Sequence, residues 1–215
     1  MTPTLTNLDD DDAVAVFADA LDSAGDPRGT LMHLQLALEN RPGDARLVEA
    51  ERRHLALHGK RLLGSLQMAS SLATFRWRRG FLQSVELRSQ AADVYQRHGR
   101  VAPAPRSRLP KLVRELESLV VASRLQTLTV LMPASSFSTS QLTDVLDEVL
   151  AVRLPSLELV RIGTLVFEDA WDEQVPHATP VVAFHRGFRL ETDAALRPAL
   201  ERRGLIDRLP QGVNV

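Results

Sequence analysis

The sequence predicts an α/β chain: an N-terminal three-helix module followed by a short, irregular, curved parallel sheet with flanking helices. Three observations carry this expectation. Residues 1–68 place apolar side chains at helical spacing around a tight Gly25-Asp26-Pro27-Arg28-Gly29 corner. Residues 69–215 alternate short β-favouring segments with helical ones, the order that builds a parallel sheet. An L-x-x-L-x-L spacing begins at Leu82, Leu125 and Leu154. The predicted division is therefore 1–68 and 69–215.

Val14, Phe17 and Leu21 follow i, i+3, i+7 and define the buried face of a first helix. Gly25 suits the left-handed residue that closes it. Asp26 followed by Pro27 reads as an N-cap and first helical position, because Pro lacks the N–H that would be unpaired there. Leu31, Leu34 and Leu38 continue the spacing in a second helix. Arg28 lies in its first turn, where the helix dipole disfavours a cation, so it calls for a partner such as Asp19 or Asp22. Residues 40–44 are a turn, and Asp44 caps a third helix from about Ala45 to His58, ended by Gly59.

These residues carry a resemblance. Phe17-Ala18-Asp19-Ala20-Leu21, Gly25 to Gly29, Leu34-Gln35-Leu36 and the closing segment His58 to Gly64 are similar to the repeat-companion domain. That is a small bacterial module found beside leucine-rich or similar repeats. Ala20 stands where the family usually has Trp, and Thr30 where it has an acidic residue. The resemblance covers the first third of the chain. It implies an architecture, with leucine-rich-repeat-like segments downstream, and no activity.

Residues 60–72 lead out of the module. Leu72 to Arg79 and Phe81 to Leu87 read as two strands turning at Arg79-Gly80. Residues 88–98 are expected to be helical, and 101–110, with three prolines, a loop. Leu109, Leu112, Val113, Leu116 and Val120 mark a helix. A further helix runs from about Ser140 to Val152 on Leu142, Val145, Leu146 and Leu150, capped by Ser138 or Thr139. The strands are Leu82-x-x-Val85-x-Leu87, Leu125-x-x-Leu128-x-Val130 and Leu154-x-x-Leu157-x-Leu159. Together they read as a degenerate leucine-rich-repeat-like sheet. Residues 164–176 are acidic and irregular around Trp171, and Thr179 to Phe184 reads as a last strand. Thr192 caps a final covering helix that ends at Gly204, followed by a tail.

Composition narrows the function. The chain is 44% hydrophobic, enough for a sizeable core, and has no Cys, which excludes disulfides, thiolate nucleophiles and cysteine metal sites. The first residues lack a signal peptide's basic flank and apolar core. No run of about 18 apolar residues occurs, so a cytoplasmic protein without a membrane span is expected. No G-x-S-x-G, P-loop or dinucleotide fingerprint is present, so neither catalysis nor a cofactor is expected. Asp9 to Asp12 read as an acidic helix start. His54 and His58 share a helical face, but Leu55 stands where a zinc protease carries Glu, so no metal site is expected.

The expected activity is binding another protein through the exposed sheet face. Its residues alternate with the buried leucines: Ser84, Glu86 and Arg88; Thr127, Thr129 and Leu131; Ser156, Glu158 and Val160. Leu131 and Val160 are then solvent-facing apolar residues, which mark a partner surface. The alternative is nucleic-acid binding through Phe75-Arg76-Trp77-Arg78-Arg79, where aromatics interleave with Arg76, Arg78 and Arg79. The overall net charge of −1 hides a strong asymmetry: −7 over residues 1–45, +10 over 46–130 and −4 over 131–215. That asymmetry suits docking of the acidic module on the basic middle, within one chain or between copies as a homo-oligomer.

Overall fold

In the computed structural model, the residues described are 7–69, 73–88, 96–97, 100–101, 108–133, 139–165, 181–192 and 194–206. The expectations for residues 1–6, for most of 88–98 and 101–110, for Ser138, for the acidic stretch around Trp171 and for the tail beyond 206 fall wholly or partly outside them.

Helices α1 (Asp11–Ser23), α2 (Arg28–Asn40) and α3 (Ala45–Leu63) form the N-terminal region. Asp10 caps α1 by accepting from the Ala13 N–H. Gly25, at φ +69°, closes it: the Asp26 N–H donates to the Leu21 carbonyl and the Gly25 N–H to that of Asp22. This double closure is the Schellman arrangement. Asp26 then caps α2 by accepting the Arg28 N–H at 3.0 Å. Helix α3 is longer than the sequence suggests. Gly59 lies inside it, where a Cβ would come within 2.9 Å of the Gln67 amide, and the stop is Gly64 at φ +55°. A 3-10 turn, Gly64–Ala69, follows.

Strands β1 (Ala73–Arg78) and β2 (Phe81–Arg88) form the expected hairpin. Arg79 and Gly80 both have positive φ, 50° and 75°, the backbone of a type I′ turn. Part of the stretch expected to be helical is instead a short antiparallel pair, β3 (Gln96–Arg97) with β4 (Arg100–Val101). Helix α4 (Leu109–Ser118), strand β5 (Thr127–Pro133), helix α5 (Thr139–Ala151) and strand β6 (Leu159–Leu165) come next. The chain continues with β7 (Val181–His185), β8 (Phe188–Thr192) and α6 (Arg197–Arg202).

Six strands make one sheet in the order β1-β2-β5-β6-β8-β7. The inner four are parallel, and antiparallel β1 and β7 form the edges. Period-2 alternation sorts the side chains. Val85, Leu87, Leu128, Val130, Val160, Ile162, Leu190, Val181 and Ala183 point into one core with the buried stripes of α4, α5 and α6. Leu31, Leu62, Leu63 and Leu66 join the same core, so the helical region packs directly against the sheet. A second cluster, Val14, Ala18, Leu21, Met32 and Phe81, holds the hairpin to α1 and α2.

Two expectations are corrected at the C-terminal side. Leu154 and Leu157 are buried in the turn before β6, and the strand starts only at Leu159. Register aligns Val85, Leu128 and Val160, then Leu87, Val130 and Ile162. The third matching segment is therefore Leu157-x-x-Val160-x-Ile162, three residues later than the expected one. Thr192 caps no helix. It ends β8, is 2% exposed and points into the core. Residues 188–192 form a strand because Phe188, Leu190 and Thr192 alternate inward and Arg186-Gly187 makes a second positive-φ turn, 45° and 91°.

Candidate functional site: the open face of the sheet

The outward side chains fall into rows running across the strands. One row is Arg76, Ser84, Thr127, Leu159, Arg189 and Phe184. The next is Thr74, Glu86, Thr129, Arg161, Glu191 and Val182. Arg88, Leu131 and Gly163 start a third. At roughly 4.8 Å per strand a full row spans about 24 Å.

Of the residues expected on this face, Ser84, Glu86, Arg88, Thr127, Thr129 and Leu131 are there. Leu131 is half-buried, and its side chain lies beside Gly163, where a Cβ would be 3.6 Å from it. Val160 is corrected: it is fully buried, because β6 places it in register with Leu128 on the core side. Ser156 and Glu158 precede the strand. Ser156 donates to the Ser123 carbonyl at 3.2 Å, and Glu158 is exposed at the amino end of the sheet. Arg161, Gly163, Arg189, Glu191, Val182 and Phe184 belong to the face and were not expected. The signal for Arg189 and Glu191 was the Arg186-Gly187 dipeptide, the same turn signal as Arg79-Gly80; Val182 and Phe184 alternate with buried Val181 and Ala183 in the strand already expected there.

The face is charged at its centre and apolar at one rim. Glu191 accepts from Arg161 at 2.8 Å and from Arg189 at 2.9 Å. Both arginines keep about half of their side-chain surface exposed. Glu86 pairs with Arg88. Val182 and Phe184, 37% and 72% exposed, form the apolar rim. Counting Arg76, four arginines stand against two glutamates among the described residues of the face.

The basic run divides between two environments. Arg76 is exposed on the open face. Arg78 pairs with Asp9 at 2.6 Å. Arg79 is 7% exposed, held by Asp11 at 2.6 Å and by Glu39, and its Nη1 donates to the Leu8 carbonyl. The first two partners belong to the acidic module, so charge docking operates within the chain. Phe75 and Trp77 face the core side.

The Gly25 to Gly29 corner is internally satisfied. Arg28 forks onto Asp26, with contacts at 2.6 and 3.0 Å, in place of the expected Asp19 or Asp22. Those two carboxylates accept instead from His33 and Thr30, at 3.0 and 2.9 Å. Burial raises the Asp26 carboxyl. The hydrogen bonds from Arg28 and the charges of Arg28 and Arg61 outweigh it and hold the group below the usual carboxylate range. A cavity of about 220 Å³ lies beside this corner, lined by Arg28, Arg61, Leu119 and Val120 among others. A second, of about 300 Å³, opens at the amino ends of β5 and β6 beside Arg78, Gln126 and Glu158.

Elsewhere, His54 bonds the Pro27 carbonyl at 2.8 Å and so ties α3 to the corner, and its ring lies 4.5 Å from that of His58, tilted by 45°. His185 bonds the Leu150 carbonyl at 3.2 Å. Among the described residues no cluster of three or more His, Asp or Glu side chains has metal-binding geometry. No helix among them is long and apolar enough to cross a membrane. Comparison with protein-family models, curated proteins and solved structures finds no match for this chain.

Proposed function

We propose that this chain is a non-catalytic protein-interaction module that binds an acidic protein partner through the open face of its sheet. The observation that carries this reading is the outward surface itself. It presents Arg161 and Arg189 half-exposed at its centre and Phe184 exposed at its rim, the residue types that concentrate binding energy at interfaces. The excess of arginine on the face favours an acidic surface and a salt-sensitive association rate.

The finer architecture in this reading is a repeat-companion-like helical module leading into degenerate leucine-rich-repeat-like strands. Its support is the shared phase of Leu82-x-x-Val85-x-Leu87, Leu125-x-x-Leu128-x-Val130 and Leu157-x-x-Val160-x-Ile162, with one buried row per position. The nucleic-acid alternative has weaker support. Arg78 and Arg79 are committed to Asp9, Asp11 and Glu39, which leaves Arg76 alone of the three basic residues unpaired by that docking.

The test is site-specific photo-crosslinking in native lysate, with the crosslinker at Thr129 or Arg161 and, as control, at Leu57 on α3. The reading expects one protein crosslinked from both face positions and not from Leu57. Equal yields from all three, or recovery of nucleic acid alone, would count against it.

A further inference from the structure

The two edges of the sheet are built differently. Strand β1 carries Arg76 and Arg78, its register with β2 shifts between Arg76 and Trp77, and Arg78 is tied to Asp9. Charges and a register irregularity are the devices that keep a sheet edge from pairing with another strand. Strand β7 has neither device along its length. Its register with β8 runs unbroken from Val181↔Thr192 to His185↔Phe188. Its two outward side chains are Val182 and Phe184.

Backbone geometry fixes which groups face outward. The two-residue Arg186-Gly187 turn makes His185 and Phe188 a hydrogen-bonded pair. Alternation along an antiparallel ladder then commits His185, Ala183 and Val181 to β8. The N–H and C=O of Val182 and Phe184 point away from the sheet.

We propose that two copies of this chain pair through β7, antiparallel and edge to edge, about a two-fold axis at Ala183. The strand is complementary to itself in this arrangement. Val182 of each copy lies opposite Phe184 of the other, so the outward N–H and C=O groups are satisfied in two reciprocal pairs. Both apolar pairs lie on the same open face, and aromatic–β-branched cross-strand pairs are favourable. The interface is isologous and closed, so it stops at two copies and joins two six-stranded sheets. So short an edge makes a small interface of the transient class, which sets a concentration-dependent equilibrium.

The test is sedimentation equilibrium of the full chain over two decades of concentration, with amide exchange followed at Val182 and Phe184. The mass should rise from 23.8 kDa toward twice that value, and those two amides should slow as it rises. Phe184→Lys, at a 72% exposed side chain, should hold the chain as a monomer with an unchanged melting temperature. Val182→Pro removes one outward N–H without touching the bonds to β8 and should do the same. Thr129→Arg, on the open face away from the edge, should leave the dimer intact. A chain that stays at 23.8 kDa throughout overturns the proposal. So does a dimer that survives both edge variants, or one that forms without protecting the two amides.

Discussion

Gln35 is a polar residue, 6% exposed, on the buried face of α2, and its amide accounts for that position. Its Nε2 donates to Glu51 at 2.7 Å and its Oε1 accepts the Gly80 N–H at 2.8 Å, joining α2, α3 and the hairpin turn. Gln35→Leu keeps the volume but leaves the buried Gly80 N–H without an acceptor. An orphaned buried donor costs about 1–3 kcal/mol. Urea unfolding should show a lower midpoint with an unchanged slope. Thr192 is the opposite case. Its hydroxyl is buried on the core side with no hydrogen-bond partner among the described residues, in the row that holds Leu87, Val130 and Ile162. Thr192→Val should raise stability by about 1–2 kcal/mol, read as a higher urea midpoint. Neither role is legible in the sequence, because both depend on which distant backbone group ends up opposite the side chain.

At the scale of elements, the corner and the hairpin show how local signals become tertiary contacts. Gly25 was legible as a helix stop, because a left-handed residue after a helix favours glycine whatever surrounds it. Gly29 belongs to the same motif, but its role depends on α1: a Cβ there would lie 2.5 Å from the Ala18 carbonyl oxygen and from Asp22. Gly29→Ala should destabilise by about 1–3 kcal/mol through overpacking, measured by thermal or urea unfolding. Asp26 gives the corner a pH dependence. Its carboxyl is held below its unfolded value, so its contribution is complete above about pH 4 and is lost as pH falls through the lower, folded value. Asp26→Asn should flatten the acid limb of the stability curve and leave its neutral side level. Arg79 clasps the hairpin to α1 and α2 through Asp11 and Glu39. Both carboxylates keep solvent contact when the arginine is removed, so Arg79→Ala should cost about 1–2 kcal/mol, less than the loss of a fully buried pair. The chain should remain at its wild-type mass.

At the scale of the molecule, the acidic helical region meets the basic middle at the hairpin through Arg78 and Arg79, and the charge asymmetry is legible in where the charged residues fall along the sequence. So are the class of fold, helices α4 and α5 and the phase of β2 and β5. The third strand was misplaced because Leu154, Leu157 and Leu159 match a spacing that Leu157, Val160 and Ile162 match equally well, and only pairing with β5 decides between them. The three-residue offset takes Arg161 off the expected face and puts Val160 on it. With β8 unread, Arg189 and Glu191 were missing as well. The proposed function puts a protein partner on this corrected face. The most direct test is to reverse it: purify the partner captured by crosslinking at Thr129 and titrate it against wild type and against the double variant Arg161→Glu, Arg189→Glu. The account predicts binding that weakens at least tenfold in the variant and with rising salt, while the unfolding transition keeps its cooperativity. Equal affinity for the two proteins would contradict it.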